Sequence, residues 1–247
     1  MTDLSPAPRL SVVVPVKNEA LNILPLVEEI ERACASLGSF EAIYVDDGST
    51  DATADEVMGA RRTRPWLRLI RHEASCGQSA AVRTGVHAAR GPIVVTLDGD
   101  GQNDPAFIPQ LIAALDDPAT ALAAGQRLSR KGAGKRWQSR IANGVRARVL
   151  KDGTRDTGCG LKAFRRDVYL RLPYFDALHR FMPALVARDG FAIAYVDVVD
   201  RPRYSGISNY GFFDRLWVGI LDLMGVWWLI RRRRRVPVVT EIGPDDR

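Results

Sequence analysis

The sequence has few cysteines and no cysteine pair at the spacing of metal ligands. The three cysteines are scattered along a chain of 247 residues: Cys34, Cys76 and Cys159. This odd number, without a CxxC pair, argues against a disulfide framework and against a structural zinc site. The spacing of His72, His87 and His179 fits no metal site either. Such cysteine usage is typical of a reduced cytosolic protein.

Two kinds of membrane or targeting segment are also missing. The N-terminal stretch MTDLSPAPRL has no basic segment followed by an apolar one, so no secretory signal peptide is predicted. Residues 212–230 are the most apolar stretch, but Asp222 interrupts them, and a spanning helix needs about 20 predominantly apolar residues. The net charge of +6 comes mostly from the run 231–235, which is five arginines.

Short apolar runs alternate with helical patterns through the first half of the chain. Strands are predicted at 10–16, 42–45, 67–70 and 93–97, with a later one at 191–199. Helices are predicted at 22–37, 49–60, 79–89 and 105–115. This alternation predicts an α/β fold with a mostly parallel sheet covered by helices on both faces.

Polar clusters follow three of these strands: KNEA, DDGSTD and DGDGQNDP. Parallel sheets bind ligands at the carboxyl ends of their strands, so the three clusters are expected to converge on one rim. Asp98 and Asp100 could share a divalent cation, with Gln102 and Asn103 as neutral oxygen ligands. The alternative is a plain Asp-Gly turn.

The other two clusters also allow two interpretations. After the second strand, the carboxylates could accept hydrogen bonds from a base or ribose, or the segment could only cap a helix through Ser49, Thr50 or Asp51. Glu19 could bond a base or ribose, or it could be a favourable acid at a helix N-terminus.

Taken in order, P-x-x-N-E, VDDGS and LDGDGQ resemble the motifs of family 2 glycosyltransferases of the GT-A fold. Within that family the chain looks most like the dolichol- and polyprenyl-phosphate sugar synthases, over roughly residues 10–210. The resemblance implies a GT-A-type sheet flanked by helices and an inverting, metal-dependent sugar transfer. The implied donor is a GDP- or UDP-linked sugar, the acceptor a polyprenyl phosphate and the cofactor Mg²⁺ or Mn²⁺.

The resemblance also assigns roles by matching position. The nucleotide-binding positions are Pro15, Lys17, Glu19, Val45 and Asp47, with the last two at the base. The acid-x-acid motif is Asp98, Gly99 and Asp100, and the implied metal ligands are Asp98, Asp100 and Gln102. Arg127 matches an arginine that meets the donor, Asp156 lies in the acceptor-site segment, and Arg203 belongs to the closing segment that meets the diphosphate. In that last segment the family's usual lysine is replaced by Asn209.

This chemistry needs no indispensable base. A phosphomonoester has a second pKa of about 6, so the acceptor is largely dianionic and already nucleophilic at neutral pH. The cation and the arginines would neutralise the departing diphosphate. Asp156 is expected to position the acceptor.

The C-terminal region predicts an amphipathic helix on a membrane surface. On a 3.6-residue wheel one side collects large apolar residues: Phe213, Leu216, Trp217, Ile220, Leu221, Met224, Trp227 and Trp228. The predicted division is a catalytic domain at 1–210, a membrane-associating helix and polybasic run at 211–235 and a tail at 236–247. The expected location is the cytoplasmic face of the membrane. A core helix with a solvated basic tail, or a tilted spanning helix, stays open.

Three other functions compete with this prediction. A glycosyltransferase with a saccharide acceptor would share the donor site. A sugar-1-phosphate nucleotidylyltransferase would need an early Gly-rich loop, and PVKNEALNI is not one. A nucleic-acid partner is not expected, because the basic residues lack interleaved aromatic side chains.

Overall fold

A computed structural model describes residues 7–128, 150, 153–154, 156, 158–202 and 213–232, without the side chains of 213–218. Seven strands form one sheet. They are β1 (Leu10–Val16), β2 (Phe40–Asp46), β3 (Leu67–Arg71), β4 (Ile93–Thr96), β5 (Thr120–Arg127), β6 (Lys162–Arg165) and β7 (Ala192–Val198). Each strand predicted from the sequence is present, with bounds that differ by a few residues.

The sheet is mostly parallel, in the order β3-β2-β1-β4-β6-β5-β7. β6 is the exception, since it runs antiparallel to both β4 and β5. Its first residue, Lys162, therefore pairs with Thr96 at the carboxyl end of β4. The chain passes from β3 at one edge to β4 on the far side of β1, and ligands bind at such switch points in open α/β sheets.

Seven helices accompany the sheet in the described residues. They are α1 (Ala20–Cys34), α2 (Thr53–Arg61), α3 (Gln78–Ala88), α4 (Ile108–Ala113), α5 (Arg166–Arg171), α6 (Leu178–Arg188) and α7 (Phe213–Arg231). The helix predicted at 105–115 is split into a 3₁₀ turn, Pro105–Phe107, followed by α4. Asp104 caps the 3₁₀ turn by accepting a hydrogen bond from the Ala106 N–H at 2.9 Å.

Two hydrophobic layers cover the two faces of the sheet. One is built by α1, α2 and α4 around residues such as Ile23 and Leu111, and the other by α3, α5 and α6 around residues such as Val82 and Leu185. Alternate residues of β1 serve opposite layers, because Val12 belongs to the first cluster and Val13 to the second. The predicted mostly parallel sheet with helices on both faces is confirmed.

The C-terminal helix α7 packs on α6. Val226 is buried in the second layer, and Leu223, Leu229 and Ile230 are partly buried against it. Among the described helices, none is both long and apolar enough to cross a bilayer. Among the described side chains, α7 therefore contacts the sheet domain along the side that carries Val226.

Candidate active site

The loops that follow β1 and β2 are joined by hydrogen bonds. Asn18 adopts a left-handed backbone conformation with φ 55°, which asparagine tolerates better than most residues. Its N–H donates to Ser49 Oγ at 2.9 Å, and its Oδ1 accepts from the Thr50 N–H at 2.8 Å. A further bond runs from the Glu19 N–H to Thr53 Oγ1 at 2.8 Å. The two loops thus form one hydrogen-bonded unit at the rim of the sheet.

Three residues predicted to hold the nucleotide lie in or near this unit. Pro15 lines the cleft at the end of β1, and Lys17 is exposed to solvent just beyond it. Glu19 is turned toward α1, where its carboxylate accepts a hydrogen bond from the Asn22 side-chain amide. A nucleotide that used Glu19 would have to share the carboxylate with Asn22.

Val45, placed at a base-binding position by the resemblance, has its side chain in the hydrophobic core. It is fully buried on β2 and belongs to the same cluster as Val13. It packs closely on Gly85 of α3, since a Cβ added to that glycine would lie 3.2 Å from Val45 Cγ2. The side chain therefore packs between sheet and helix, and the predicted contact of Val45 with the base would have to come from its backbone.

Asp47 is buried and binds the segment 72–77 through both of its carboxylate oxygens. Oδ1 accepts from the Cys76 N–H at 2.8 Å and from His72 Nδ1–H at 2.7 Å. Oδ2 accepts from Ser75 Oγ at 2.7 Å and from the Gly77 N–H at 2.9 Å. A carboxylate offers about four acceptor positions, and the chain itself supplies a donor for each.

These hydrogen bonds set the charge of Asp47. Burial raises the pKa of this carboxyl, but the bonds from Cys76, His72, Ser75 and Gly77 outweigh burial and lower the pKa to about 2. Asp47 is therefore ionised at every pH at which the protein would be used. A base that bonds Asp47 would have to share an oxygen with the 72–77 segment or replace one of its donors.

The acidic loop after β4 is held in a defined shape by its own polar groups. The Asp98 N–H donates to Asn103 Oδ1 at 3.0 Å, and the Gln102 N–H donates to Asp100 Oδ1 at 3.0 Å. Gly99 lies so close to the end of β1 that an added Cβ would be 2.5 Å from a valine Cγ there. Only glycine at this position lets both carboxylates stand at the rim.

Asp98 lies in a cleft between α3 and the segment that leads into β6. Gln78 Nε2 donates to Asp98 Oδ1 at 2.7 Å, and Gly160 faces the carboxyl group so closely that an added Cβ would lie 2.4 Å from it. Burial and repulsion from Asp100 raise the pKa of Asp98 to about 6, although Lys162 acts in the opposite direction. Any cation placed here would lower the free energy of the ionised form.

Arg127, at the end of β5, is held between two carboxylates. Its Nη2 donates to Asp156 Oδ1 at 2.8 Å and its Nε to the other oxygen of Asp156, while Nη1 donates to Asp200 Oδ2 at 3.0 Å. The side chain is only 9% exposed. These bonds use three of the five guanidinium N–H groups, so the other two are left for the predicted contact with the donor.

The segment after β7 fastens the acidic loop from outside. Asp200 forms an isolated antiparallel bridge with Asn103, and the Arg201 N–H donates to the Gln102 carbonyl at 2.9 Å. The Arg201 side chain also pairs with Asp104. Asp200 was not among the predicted site residues, because the alternation that marks β7 gives no sign of where the strand ends.

Two further polar residues line the cleft beside Asp98 and were not predicted as site residues. Lys162 is 3% exposed, and its ammonium donates to the Cys159 carbonyl. His179 shares a hydrogen bond with Ser79 Oγ at 2.7 Å, and burial, reinforced by the charge of Lys162, lowers its pKa to about 3. The imidazole is thus neutral. The sequence carries a usable sign only for Lys162, which closes the DTGCGLK segment.

The predicted residues are gathered at one rim rather than scattered. The start of α3 links the two acidic loops, since the Gly77 N–H bonds Asp47 and Gln78 bonds Asp98. Asp98, in turn, interacts electrostatically with Asp100 and Arg127. Two remaining predicted residues, Arg203 and Asn209, lie outside the described residues.

The charges around Asp98 favour a cation. Four carboxylates, those of Asp98, Asp100, Asp156 and Asp200, surround two cationic groups, those of Arg127 and Lys162. In the part of the chain that the structure describes, the buried Asp98 lies beside a second carboxylate, Asp100, and a divalent ion would offset the repulsion between them. Magnesium takes few protein carboxylates and completes its shell with water and substrate phosphate. Asp98, Asp100 and the neutral Gln102 fit that description.

Comparison with known proteins identifies the family. The sequence model of Glycosyl transferase family 2 matches residues 11–172, which run from β1 to the end of α5. The chain belongs to this family. It is therefore an enzyme of the glycosyltransferase class, as the VDDGS and LDGDGQ motifs predicted.

Curated relatives in the family act on lipid phosphates. A dodecaprenyl-phosphate galacturonate synthase from Rhizobium johnstonii is 36% identical over 234 residues, which cover 92% of this chain and 68% of the relative. An undecaprenyl-phosphate 4-deoxy-4-formamido-L-arabinose transferase from Pseudomonas paraeruginosa is 34% identical over 210 residues, covering 83% and 61%. The chain thus spans about two thirds of the length of these relatives.

Solved structures support the GT-A type of fold. Glucosyl-3-phosphoglycerate synthase from Mycobacterium tuberculosis, in complex with Mn²⁺, UDP and its product, has a TM-score of 0.67 at 23% identity. The match covers 92% of this chain and 80% of that one. A second structure of that enzyme holds Mg²⁺ and UDP, with a TM-score of 0.68. At this identity the likeness establishes the fold, and the fold class predicted from the sequence is confirmed.

Proposed function

We propose that this glycosyltransferase moves a sugar from a nucleotide diphosphate sugar to a polyprenyl phosphate, with Mg²⁺ or Mn²⁺ at the acidic loop after β4. The observation that carries the proposal is the pair of carboxylates after β4, in which burial and repulsion from Asp100 raise the pKa of Asp98 to about 6. A divalent ion bound between the two carboxylates would favour their ionised forms. The polyprenyl phosphate acceptor is supported by the names of the curated relatives.

Each residue of the cluster then has a definite task. Asp98, Asp100 and Gln102 hold the cation, which when bound neutralises charge on the leaving diphosphate. Gln78 and Gly160 fix the Asp98 carboxylate, since one donates a hydrogen bond to it and the other leaves room for it. Arg127 meets the donor phosphates through the guanidinium N–H groups that Asp156 and Asp200 do not use, as an arginine fork is suited to do.

The acceptor supplies its own nucleophile. A phosphomonoester is largely dianionic at neutral pH, because its second pKa is about 6. Asp156 is bound by Arg127 through both oxygens, which is an arrangement for positioning rather than for taking up a proton. The proposed reaction is a single displacement that inverts the anomeric carbon.

The test is lipid-dependent release of nucleoside diphosphate. A panel of UDP- and GDP-linked sugars is incubated with the full chain, Mg²⁺ or Mn²⁺, and a polyprenyl phosphate. We expect diphosphate release only when both the lipid and the metal are present, and none from the Asp100→Asn variant. Release of nucleoside diphosphate that does not need the lipid but needs an added saccharide would show a saccharide acceptor in place of the proposed lipid. Release of pyrophosphate in a parallel incubation with a nucleoside triphosphate and a sugar-1-phosphate would replace sugar transfer with nucleotidyl transfer.

We also propose that α7 rests on an anionic membrane surface, which would bring the enzyme to its lipid. Five large apolar side chains of α7 are between 40% and 63% exposed: Ile220, Leu221, Met224, Trp227 and Trp228. They follow a helical spacing and lie opposite the buried Val226, so together they make a continuous apolar face directed away from the domain. Exposed faces of this kind mark interaction sites.

The cations at the end of α7 support a membrane as the proposed surface. The Arg231 guanidinium lies over the Trp227 ring at 3.8 Å and that of Arg232 over Trp228 at 5.5 Å. These arginines begin the polybasic run 231–235, and each basic residue near anionic lipid contributes about 1 kcal/mol. Tryptophan beside arginine suits the headgroup region of a bilayer. The polybasic run and the reduced cysteines favour the cytoplasmic face.

Vesicle co-sedimentation tests the membrane proposal. The full chain should bind vesicles that contain anionic lipid more tightly than neutral ones, and less tightly at high salt. Burial of each tryptophan ring is worth on the order of 1–2 kcal/mol, so the Trp227→Ala/Trp228→Ala double variant should bind at least about tenfold more weakly. Leu21→Ala, which removes an exposed leucine on α1, is the control. Equal binding by the double variant and the control would exclude α7 as the contact.

A further inference from the structure

Three side chains with different metal-binding atoms meet beside the loop after β2, outside the cluster around Asp98. Asp47, His72 and Cys76 each offer one ligand atom, and these atoms all lie within 4.8 Å of one another. Their spacing in the sequence matches no zinc motif, because β2 supplies one ligand and the segment after β3 supplies the other two. We propose that Asp47, His72 and Cys76 form a binding site for a thiophilic divalent ion such as Zn²⁺.

The ligand types distinguish this site from the one at Asp98. Carboxylate, imidazole and thiolate together suit Zn²⁺, whereas carboxylate and amide oxygens suit Mg²⁺ or Mn²⁺. The three ligands differ in exposure to solvent, since Asp47 is buried, His72 is half-buried and Cys76 is exposed. An ion can therefore approach from the Cys76 side and be held from within by the other two.

The surroundings of His72 already resemble the outer shell of a metal site. His72 Nε2 shares a hydrogen bond with Thr84 Oγ1 at 2.9 Å, and metal-binding histidines are usually fixed through their second nitrogen in this way. The Thr84 hydroxyl can act as donor or acceptor. When Nδ1 binds the ion, the proton of the imidazole moves to Nε2. The Nε2–H group then donates a hydrogen bond to the Thr84 oxygen.

Loading requires a small adjustment. His72 Nδ1 and Asp47 Oδ1 are 2.7 Å apart, whereas two ligands of a tetrahedral zinc ion lie about 3.3 Å apart. The half-buried imidazole must therefore withdraw by about 0.6 Å. Asp47 need not move, because Ser75 and Gly77 hold its other oxygen.

The charge and proton balance of the site is simple. The Cys76 thiol releases one proton to solvent and binds as thiolate, and the imidazole stays neutral after its proton has moved. Thiolate and the Asp47 carboxylate then carry two negative charges, which match the two positive charges of the ion. A water molecule completes the four ligands, as in zinc sites with three protein ligands.

Occupation of this site would inhibit the enzyme, a consequence that rests on the proposed role of Asp47 in nucleotide binding. A metal ion on Oδ1 would remove the oxygen nearest to His72 and Cys76 from any contact with a base. Zinc inhibition should then be competitive with the nucleotide sugar and should not be relieved by excess Mg²⁺. The metal site itself does not depend on that role.

The test uses Co²⁺ as a spectroscopic substitute for zinc, with the full chain and excess Mg²⁺ to occupy the oxygen site. We expect one equivalent of Co²⁺ to give a thiolate-to-cobalt charge-transfer band that Zn²⁺ abolishes. Cys76→Ser should remove the band, and His72→Gln should weaken binding by roughly tenfold or more, a loss in the range known for disturbed metal shells. Cys34→Ala, which alters a buried cysteine, and Asp100→Asn should both keep the band.

The proposal would be overturned by a wild-type chain without the charge-transfer band, or by a band that survives in Cys76→Ser. Loss of the band in Cys34→Ala would do the same, because it would place the thiolate ligand elsewhere. Failure of lipid-dependent sugar transfer has a different signature. It would leave the cobalt band unchanged while diphosphate release was absent.

Discussion

Replacement of Asp47 by asparagine tests whether this carboxylate holds the 72–77 segment. In the wild-type protein both oxygens accept two hydrogen bonds, and the charge strengthens all four. In Asp47→Asn one oxygen becomes an NH₂ group. Placed at Oδ2 it faces the Gly77 N–H, and placed at Oδ1 it faces the Cys76 N–H. Either orientation leaves a backbone donor opposed to another donor.

The expected loss of stability in Asp47→Asn follows from the pKa of the Asp47 carboxyl group. A lowering from 3.8 to about 2 means that folding favours the ionised carboxylate by about 2 kcal/mol. An opposed, buried donor adds roughly 1 kcal/mol or more. We therefore expect Asp47→Asn to lower the free energy of unfolding by about 2–3 kcal/mol at pH 7.

The pH dependence gives the sharper test. Because the pKa is lower in the folded state, the contribution is complete well above pH 3.8 and is lost as the pH falls toward 2. Asparagine does not titrate, so the difference in unfolding free energy between wild type and variant should become smaller in acid. Near pH 3 roughly half of the charge-dependent part of that difference should remain. Equilibrium urea unfolding from pH 7 to pH 3, followed by circular dichroism, measures this difference in unfolding free energy.

Asp116→Asn serves as the control, because Asp116 is exposed in the loop after α4. Its unfolding free energy should stay within about 0.5 kcal/mol of wild type across the series. A gap for Asp47→Asn that is absent at pH 7, or that does not change with pH, would refute the argument. The first result would mean that the hydrogen bonds contribute nothing net, and the second that the loss is one of shape rather than charge.

Three further predictions concern the acidic loop and the helices around it. Asp100→Asn should abolish Mn²⁺ binding, seen by electron paramagnetic resonance, and reduce turnover to background, while far-UV circular dichroism and the unfolding midpoint stay near wild type. Gly160→Ala should displace the Asp98 carboxylate, since its Cβ would lie 2.4 Å from that group, and should lower kcat about 100-fold. An unchanged kcat would show that the residues around Asp98 can shift to accommodate the added methyl group. Gly59→Ala in α2, where an added Cβ meets nothing within 4 Å, should raise the unfolding free energy by about 0.5–1 kcal/mol.

The first four strands were predictable because their local signal is strong. LSVVVPV is rich in β-branched valine and apolar apart from its serine, and it forms β1, which is buried between two neighbours. β5 was missed because TALAAGQR is rich in alanine, which favours strands weakly. Its strand state comes from tertiary pairing with β6 and β7. Four residues of β6, one of them a buried lysine, are too few for a periodic pattern.

The candidate site divides in the same way. Asp98 and Asp100 were found because both carboxylates belong to one motif at one strand end. Lys162 and Asp200 were not, since they reach the cluster only through the reversal of β6 and the end of β7. Those are properties of the topology, and no local pattern encodes them. The motif position of Val45 also did not reveal that its side chain points into the core, because such a position does not tell which way a strand residue points.

The reversal of β6 explains how one cleft can hold so many carboxylates before a substrate arrives. A parallel strand would present its last residue at this rim, but β6 presents its first, Lys162, directly beside β4. The buried ammonium and, from β5, Arg127 act to lower the pKa of Asp98, although burial and Asp100 raise it overall to about 6. The ionised form of Asp98 is therefore disfavoured in the described cleft, and a divalent ion would favour it. If Asp98 and Asp100 hold the cation and Arg127 meets the donor diphosphate, each ligand should raise the affinity for the other, and such coupling is necessarily mutual.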